Sequence, residues 1–279
     1  MIMKVVDLYE EFGLDKPEGR VGRLTCWIQT HNKNLYPTRT NPAVLVLPGG
    51  GYAATSTREG EPIAMEFYTR GYSAFVLEYT CAPAKFPVAL REAVMAMLYI
   101  RRNAAAWDID PAMVGAIGFS AGGHLCGTLG TMYDCPEVAD LATGNQARPD
   151  VLALCYPVAV SWGNTHEGSF INLVGDDQAL RDRLSLDKLV RTDMPPVFLW
   201  HTRTDATVPV RNSLVLAVAL DEAEIPMAMH IYGKGRHGLS LPDARTHPAN
   251  ELPEVSEDLK YWINECAGFF AEKGLGITE

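Results

Sequence analysis

The chain has 279 residues, of which 47% are hydrophobic and 21% are charged. This composition is typical of a globular protein and too apolar for a disordered one, and the length fits one large α/β domain or two small ones. Lysine and arginine number 24 against 34 acidic residues, so the net charge is −10. Nucleic acid and anionic membrane surfaces are therefore poor candidate partners, and a neutral or small substrate fits better.

The sequence predicts neither a secretory signal nor a membrane span. The N-terminal residues reach acidic side chains before any apolar segment of signal length. No window approaches about 18 uninterrupted apolar residues. Six cysteines occur, none in a C-x-x-C pair, and a chain of this length can build its core without disulfides. We therefore expect reduced thiols and a cytoplasmic location.

Apolar runs bounded by turn residues predict six buried strands. They cover residues 44–47, 74–79, 113–119, 151–156, 197–201 and 227–232. Helical patterns fall between and after these strands. They comprise residues 61–70 with Gly71 just beyond the end, helices beginning near Pro87 and Gly122, residues 210–224, and an amphipathic helix at 256–273.

Nearly continuous apolar strands that alternate with helices indicate an α/β fold with a mostly parallel sheet covered on both faces. Residues 20–43 add one or two antiparallel edge strands, for example 24–30. Because the chain has no repeat and no flexible linker, we expect residues 1–279 to form a single domain. Residues 157–196, called the cap segment below, are the least regular stretch and a candidate for a small cap over the sheet edge.

A candidate nucleophile lies where the strand at 113–119 gives way to a helix. Residues 118–122 read G-F-S-A-G and match the pattern G-x-S-x-G. A tight strand-to-helix turn holds the oxygen of Ser120 clear of the backbone, and the flanking glycines let neighbouring segments approach. The alternative is a glycine-rich turn that only packs the helix on the sheet.

Three glycines in the loop PGGGY, residues 48–52, follow the strand at 44–47. Glycines leave backbone N–H groups unshielded, as an oxyanion hole requires, and the residue after the nucleophile supplies another donor. The candidate donors are Gly50, Gly51 and Ala121. The chain lacks a P-loop and a complete G-x-G-x-x-G pattern, which disfavours nucleotide binding. A plain flexible turn is the other alternative.

A serine nucleophile needs a base, and the base needs an orienting carboxylate. In hydrolases with this turn the order along the chain is serine, acid, histidine. Asp205 follows the strand at 197–201 and fits that order, although a turn or capping role is its alternative. Asp193 lies at the wrong end of that strand, and Asp176 and Asp177 in the cap segment are weaker rivals.

His237, in the loop G-R-H-G after the strand at 227–232, is the candidate base. A solvated loop histidine is the alternative. His201 precedes Asp205, His124 is expected to pack near the turn of Ser120, and His247 lies in a loop beside a proline. No metal-ligand spacing or cofactor motif occurs, so we expect neither a metal nor a cofactor.

Together these motifs resemble the α/β-hydrolase fold, and more narrowly the small esterases related to acetyl xylan esterases and the hormone-sensitive-lipase type. The resemblance extends from about residue 44 to the C-terminal helix. It rests on PGGGY (48–52), EYTCAPAKFPVAL (78–90), GFSAGGHL (118–125), WHTRTDATVPV (200–210) and GRHGLSL (235–241). By position it implies that Ser120 is the nucleophile, Asp205 the acid and His237 the base.

One residue departs from the commonest pattern of these relatives. Pro48 stands where most have the first residue of H-G-G-G, and this moves the resemblance towards the sugar-ester esterases. The resemblance implies a serine carboxylesterase for short acyl esters, with O-acetyl groups on sugars or xylo-oligosaccharides as candidate substrates. Candidate substrate-pocket residues, each with ordinary packing as the alternative, are Tyr52, Trp162, His166 and Phe170.

Two other functions stay open at this point. An amide hydrolase, either a peptidase or an arylformamidase, would use the same three residues. A hydrolase fold that serves as an inactive binding module would need a lost member of the triad, and all three are present. A dienelactone-type hydrolase is expected to have cysteine in place of Ser120.

Overall fold

A computed structural model describes residues 1–277, so residues 278 and 279 of the predicted domain lie outside the described residues. Eight strands form one sheet in the order β1-β2-β4-β3-β5-β6-β7-β8. The strands are β1 (Ile2–Asp7), β2 (Arg23–Ile28), β3 (Asn41–Leu47), β4 (Ser73–Glu78), β5 (Ile109–Phe119), β6 (Leu152–Cys155), β7 (Val197–Thr202) and β8 (Met227–Tyr232). The helices are α1 (Leu8–Glu11), α2 (Glu61–Thr69), α3 (Val88–Asn103), α4 (Ala121–Met132), α5 (Glu167–Val174), α6 (Gln178–Arg183), α7 (Leu186–Leu189), α8 (Arg211–Glu222) and α9 (Trp262–Glu272).

The mostly parallel sheet is confirmed. Neighbouring strands from β4 through β3 to β8 pair in parallel. Strands β1 and β2 are antiparallel and extend one edge. Each of the six strands predicted from apolar runs occurs, with boundaries shifted by up to four residues.

Both faces of the sheet are covered, as β3 illustrates. All seven of its residues are buried. Because side chains alternate across a strand, Leu45 and Leu47 join the core beneath α3, α4 and α8, while Val44 and Val46 join the core beneath α2 and α9. Burial of each such side chain contributes roughly 1.5–3 kcal/mol, which makes the central strands the rigid part of the fold.

Strand β1 was not predicted from the sequence. Its residues show no period-2 pattern, and only Val6 of the six is buried, so no buried apolar run marks this strand. The hydrogen bonds to β2, such as the pairing of Met3 with Trp27, define this strand. The cap segment, predicted as the least regular stretch, contains the short helices α5, α6 and α7.

The parallel register brings several loops together at one edge of the sheet. Leu47 pairs with Gly118, and Phe119 pairs with Cys155, so β3, β5 and β6 end side by side. In β7 and β8, Thr202 pairs with Tyr232 at the same end. The loops that carry the predicted site residues therefore start from neighbouring points, as expected for an open α/β sheet.

Two further features concern the described chain as a whole. All six cysteines are free, and four of them are buried. Among residues 1–277, no helix combines the length and the apolar character that a membrane crossing requires.

Candidate active site

Ser120 lies in a strained turn between β5 and α4. Its φ of 53° and ψ of −119° are unusual for a residue with a side chain. A Cβ on Gly118 would collide with the carbonyl of Gly122, and one on Gly122 would collide with the carbonyl of Leu47. Glycine at both positions therefore lets the turn form against β3 and leaves the serine side chain at the edge of the sheet.

The loops after β5, β7 and β8 bring three predicted residues into one hydrogen-bonded chain. Nε2 of His237 lies 2.7 Å from Oγ of Ser120, and Nδ1 of His237 lies 2.6 Å from Oδ2 of Asp205. With the proton on Nδ1, the ring donates to the carboxylate and its Nε2 accepts from the serine hydroxyl. That tautomer is the one in which an imidazole can take the serine proton.

The carboxylate of Asp205 is buried and fully used. Its Oδ1 accepts hydrogen bonds from the backbone N–H groups of Thr207 and Val208, both at 2.9 Å. Nε2 of His201 lies 3.4 Å from Oδ2. Burial alone raises the pKa of the Asp205 carboxyl, but the hydrogen bonds from His201 and His237 outweigh it and hold the pKa well below its usual range. Asp205 therefore stays ionised at neutral pH.

Hydrogen bonds to the carbonyl groups of the glycine loop fix the direction of its N–H groups. The carbonyl of Gly49 accepts from Ser56 at 2.9 Å, and that of Gly50 accepts from Ala53 at 3.0 Å. In a trans peptide the C=O and the following N–H point in opposite directions. The N–H groups of Gly50 and Gly51 therefore point away from the segment 53–56.

Three N–H groups near Ser120 are available to a ligand. Within residues 1–277, the N–H groups of Gly50, Gly51 and Ala121 donate to no protein acceptor. Gly49 packs directly on the turn at Ser120, because a Cβ on it would lie 3.0 Å from Cβ of Ser120. Gly50 has a φ of 125°, and a Cβ on it would collide with the carbonyl of Ala54.

The four predicted pocket residues have different surroundings. His166 borders the glycine loop, since its ring lies 3.6 Å from where a Cβ of Gly51 would be, and its Nδ1 lies 2.8 Å from Oγ of Ser169. Burial, together with the charge of His237, lowers the pKa of His166. Phe170 is buried beneath this region in a cluster with Val158 and Val208.

Tyr52 and Trp162 are committed to other contacts. Tyr52 is buried, and its hydroxyl lies 2.8 Å from Nδ1 of His124, so it supports the glycine loop from below. Nε1 of Trp162 donates to Asp187 at 3.0 Å. The ring of Trp162 lines a cavity of about 150 Å³ that Ser120, His237 and Asp205 do not line.

The rival residues lie elsewhere or have structural partners. Asp193 precedes β7 and binds Arg191, and Asp177 caps the N-terminus of α6. His124 packs below the turn, as expected, where burial lowers its pKa to about 4. His247 is buried and its Nε2 lies 2.8 Å from the carbonyl oxygen of Leu239.

Three supporting residues were not found from the sequence. Glu59 accepts a hydrogen bond from the N–H of Gly49, His201 lies beside Asp205, and Nδ2 of Asn172 in α5 donates to the carbonyl of Gly51 at 2.9 Å. No motif marks Glu59 or Asn172, which bond to backbone groups of the glycine loop. His201 lies within WHTRTDATVPV, but the motif does not reveal its contact with Asp205. Among the described residues, no group of three or more His, Cys, Asp or Glu side chains is arranged to hold a metal ion.

A serine, a histidine and an aspartate joined at the carboxyl edge of this sheet are typical of an α/β-hydrolase. Comparison with known proteins identifies the family. Residues 34–220 match the BD-FAE family model, and the chain belongs to this family.

Two curated relatives carry names connected with xylan. The chain is 40% identical to endo-1,4-beta-xylanase B of Butyrivibrio fibrisolvens, in a match that covers 83% of this chain. It is 30% identical to an acetylxylan esterase of Xylanibacter ruminicola, in a match that covers 71% of this chain. The matched region covers 36% and 41% of those two proteins, so the chain spans less than half the length of either.

A solved structure matches over nearly its whole length. It is an acetyl ester-xyloside bifunctional hydrolase from Caldicellulosiruptor lactoaceticus, which is 33% identical with a TM-score of 0.82 and covers 98% of this chain and 97% of its own. The family and these neighbours assign the chain to the α/β-hydrolase fold.

Proposed function

We propose that the chain is a serine carboxylesterase that hydrolyses short-chain acyl esters, with O-acetyl groups on sugars or xylo-oligosaccharides as its substrates. The observation that carries this proposal is the hydrogen-bonded chain from Ser120 through His237 to Asp205, next to three unused backbone donors. The similarity to proteins named as an acetylxylan esterase and an acetyl ester-xyloside hydrolase supports acetylated sugars as the proposed substrates.

In the first half of the reaction, Ser120 attacks the ester carbonyl. His237 takes the hydroxyl proton on Nε2 as the new C–O bond forms. The carbonyl oxygen becomes an oxyanion that receives hydrogen bonds from the N–H groups of Gly50, Gly51 and Ala121, each worth roughly 3 kcal/mol in the transition state. His237 then passes its proton to the departing alcohol, and an acyl-serine remains.

In the second half, water replaces the alcohol. His237 removes a proton from the water as it attacks the acyl-serine, and the same three N–H groups hold the second oxyanion. Collapse of that intermediate returns the proton to Ser120 and releases the carboxylic acid, which is acetic acid for an acetyl ester. Asp205 stabilises the imidazolium in both halves, because its carboxylate stays ionised.

The surroundings of the glycine loop favour a small acyl group. His166 and Ser169 stand next to Gly51, and Phe170 lies buried beneath them. An acyl group whose oxygen is bound by the glycine loop would meet this part of α5 after a short distance. We assign His166 and Phe170 to the acyl side of the site. Tyr52 holds the loop, and the contacts of Trp162 give it no role in this proposal.

The compartment is also a proposal. Six unpaired thiols are typical of a protein that works in a reducing environment, which supports a cytoplasmic location. The partner is a small-molecule ester, and no nucleic acid or membrane partner is proposed for a chain with a net charge of −10.

The chemistry is tested by hydrolysis of p-nitrophenyl acetate. Ser120→Ala removes the nucleophile, and we expect kcat to fall by about 10⁵- to 10⁶-fold. Ser56→Ala is the matched control, because it removes a nearby hydroxyl and leaves the backbone hydrogen bond of Ser56 to Gly49 in place. Hydrolysis near the wild-type rate by Ser120→Ala would refute the mechanism.

The substrate is tested by a panel of acetyl, butyryl and octanoyl p-nitrophenyl esters, acetylated xylo-oligosaccharides and an acetyl arylamide. We expect kcat/KM to be highest for the acetyl esters and to include the acetylated oligosaccharides. A preference for octanoate would overturn the sugar-acetyl assignment, and a preference for the arylamide would identify an amide hydrolase instead.

A further inference from the structure

Glu59 is a buried carboxylate between two loops of the candidate site. The residue is 3% exposed. Its Oε2 accepts a hydrogen bond from the N–H of Gly49 at 2.9 Å, and its Oε1 accepts one from the hydroxyl of Tyr156 at 2.7 Å. The first partner belongs to the glycine loop after β3, and the second follows β6.

Side chains form hydrogen bonds with both the carbonyl and the N–H of the peptide group between Pro48 and Gly49. The hydroxyl of Tyr79 donates to its carbonyl oxygen at 2.6 Å, while Glu59 accepts from its N–H. This peptide group begins the glycine loop, and Gly49 packs against Cβ of Ser120. Its orientation therefore determines where the next two N–H groups lie relative to the nucleophile.

Through the hydroxyl of Tyr156, Oε1 of Glu59 is also connected to the loop that carries His237. The hydroxyl of Tyr156 also accepts from the N–H of Ser240 at 2.9 Å. The Tyr156 ring lies edge-on to the His237 ring, with centroids 5.1 Å apart. One carboxylate thus connects the glycine loop to the loop of His237 through a single tyrosine.

The carboxylate of Glu59 is held by hydrogen bonds and not by a cation. Within residues 1–277 Glu59 forms no ion pair, and its polar contacts are the two hydrogen-bond donors. A buried carboxylate without a cation is unfavourable unless its hydrogen bonds are well made. Burial and the charge of Glu59 together raise the pKa of Tyr156 well above its usual range, so the tyrosine remains a donor.

We propose that Glu59 is a positioning residue that holds the oxyanion-binding glycine loop and the His237 loop in register with Ser120. This inference rests on the proposed esterase function. Glu59 does not touch the substrate. It acts through Gly49 on the neighbouring N–H groups of Gly50 and Gly51, which bind charge only in the transition state.

The test uses Glu59→Gln, which keeps the size of the side chain and removes the charge. We expect kcat for p-nitrophenyl acetate to fall about 30-fold with KM within twofold of wild type, because misplaced oxyanion donors affect the transition state more than the bound ester. Affinity for a trifluoromethyl ketone, which forms the oxyanion on Ser120, should fall by a similar factor. Glu61→Gln, an exposed neighbour on α2, is the control and should change both values less than twofold.

Tyr156→Phe is the second variant, for the case that Glu59→Gln fails to fold. It keeps the ring beside His237 and removes the hydroxyl between Glu59 and Ser240. We expect a fall in kcat of about 10-fold. Where both variants fold, the double variant should lose much less than the product of the two single losses, because the residues act as one unit.

Three results would overturn the proposal. They are a kcat within threefold of wild type for folded Glu59→Gln, a loss of thermal stability with unchanged kcat and ketone affinity, and fully multiplicative losses in the double variant. Failure of the esterase assignment is recognised separately. A wild-type protein that hydrolyses no ester but is labelled at Ser120 by a fluorophosphonate rejects the substrate, and the labelling rate of Glu59→Gln then tests the positioning role.

Discussion

Nε2 of His237 lies 2.7 Å from Oγ of Ser120, although the two residues are 117 positions apart in the chain. The parallel register of the sheet explains this closeness, because β5 and β8 end at the same edge. Asp205 bonds the other nitrogen of the histidine, so the two contacts hold its ring in one orientation. The following predictions test the parts of this arrangement one at a time.

Asp205→Asn should lower kcat for p-nitrophenyl acetate by about 10⁴-fold with little change in KM. The amide oxygen can still accept from Thr207 and Val208, so the loop should keep its shape. The amide nitrogen would then face Nδ1 of His237 and favour the tautomer with the proton on Nε2, which cannot accept from Ser120. The measurement is steady-state kinetics at pH 7.

Asp176→Asn serves as the control for that variant, because Asp176 is an exposed carboxylate of the cap segment. Its kcat should stay within twofold of wild type. If both aspartate variants had similar activity, Asp205 would not orient the base.

Gly50→Ala should lower kcat by about 10²- to 10³-fold, the range for loss of one oxyanion donor. The added Cβ would collide with the carbonyl of Ala54, and the φ of 125° is unfavourable for alanine. The loop must shift to accept the methyl group, and the N–H groups of Gly50 and Gly51 shift with it.

Gly144→Ala separates backbone strain from site geometry. Gly144 also has a positive φ, 57°, but nothing lies within 4 Å of the added Cβ. This variant should lose about 1 kcal/mol of stability in urea unfolding and keep its kcat. An equal loss of kcat in both variants would show that general strain, and not the loop position, controls activity.

The buried imidazole of His124 should make stability depend on pH. Burial lowers its pKa to about 4, below the ordinary value of 6.5 in the unfolded chain. Above pH 6.5 both states are neutral and its contribution is complete. Between pH 6.5 and 4 the unfolded state binds the proton more readily, so the free energy of unfolding should fall by up to about 3 kcal/mol through this group.

Urea unfolding of the wild type and of His124→Gln at pH 7, 5 and 4 measures this effect. The stability advantage of the wild type should shrink as the pH falls, because glutamine does not titrate. A difference between the two proteins that is constant over this range would contradict the pKa assigned to His124.

The sequence predicted the central sheet well because its signals are local. The apolar residues of β3 and the turn at Ser120 are contiguous in the chain, and burial on both faces leaves one interpretation for such runs. Strand β1 was missed because its pairing with β2 is a tertiary property. That residues 157–196 form a small cap over the sheet edge stays a prediction, although the segment contains three helices.

The residues of the candidate site also differ in whether the sequence predicts them. The closeness of Ser120, Asp205 and His237 was predicted, because their positions after strands follow from chain order and fold. Glu59 and Asn172 were not found, because each acts on a backbone group of the glycine loop and neither belongs to a motif. A buried glutamate in the sequence E-G-E-P looks the same as an exposed one until its surroundings are known.

The most direct test of the central claim is labelling of the wild-type protein with a fluorophosphonate probe, followed by mass spectrometry of the modified peptide. An activated serine reacts with this probe, and an ordinary serine hydroxyl does not. We expect one label, on Ser120, and none on Ser120→Ala. A label on another serine, or no label on the folded wild-type protein, would contradict it.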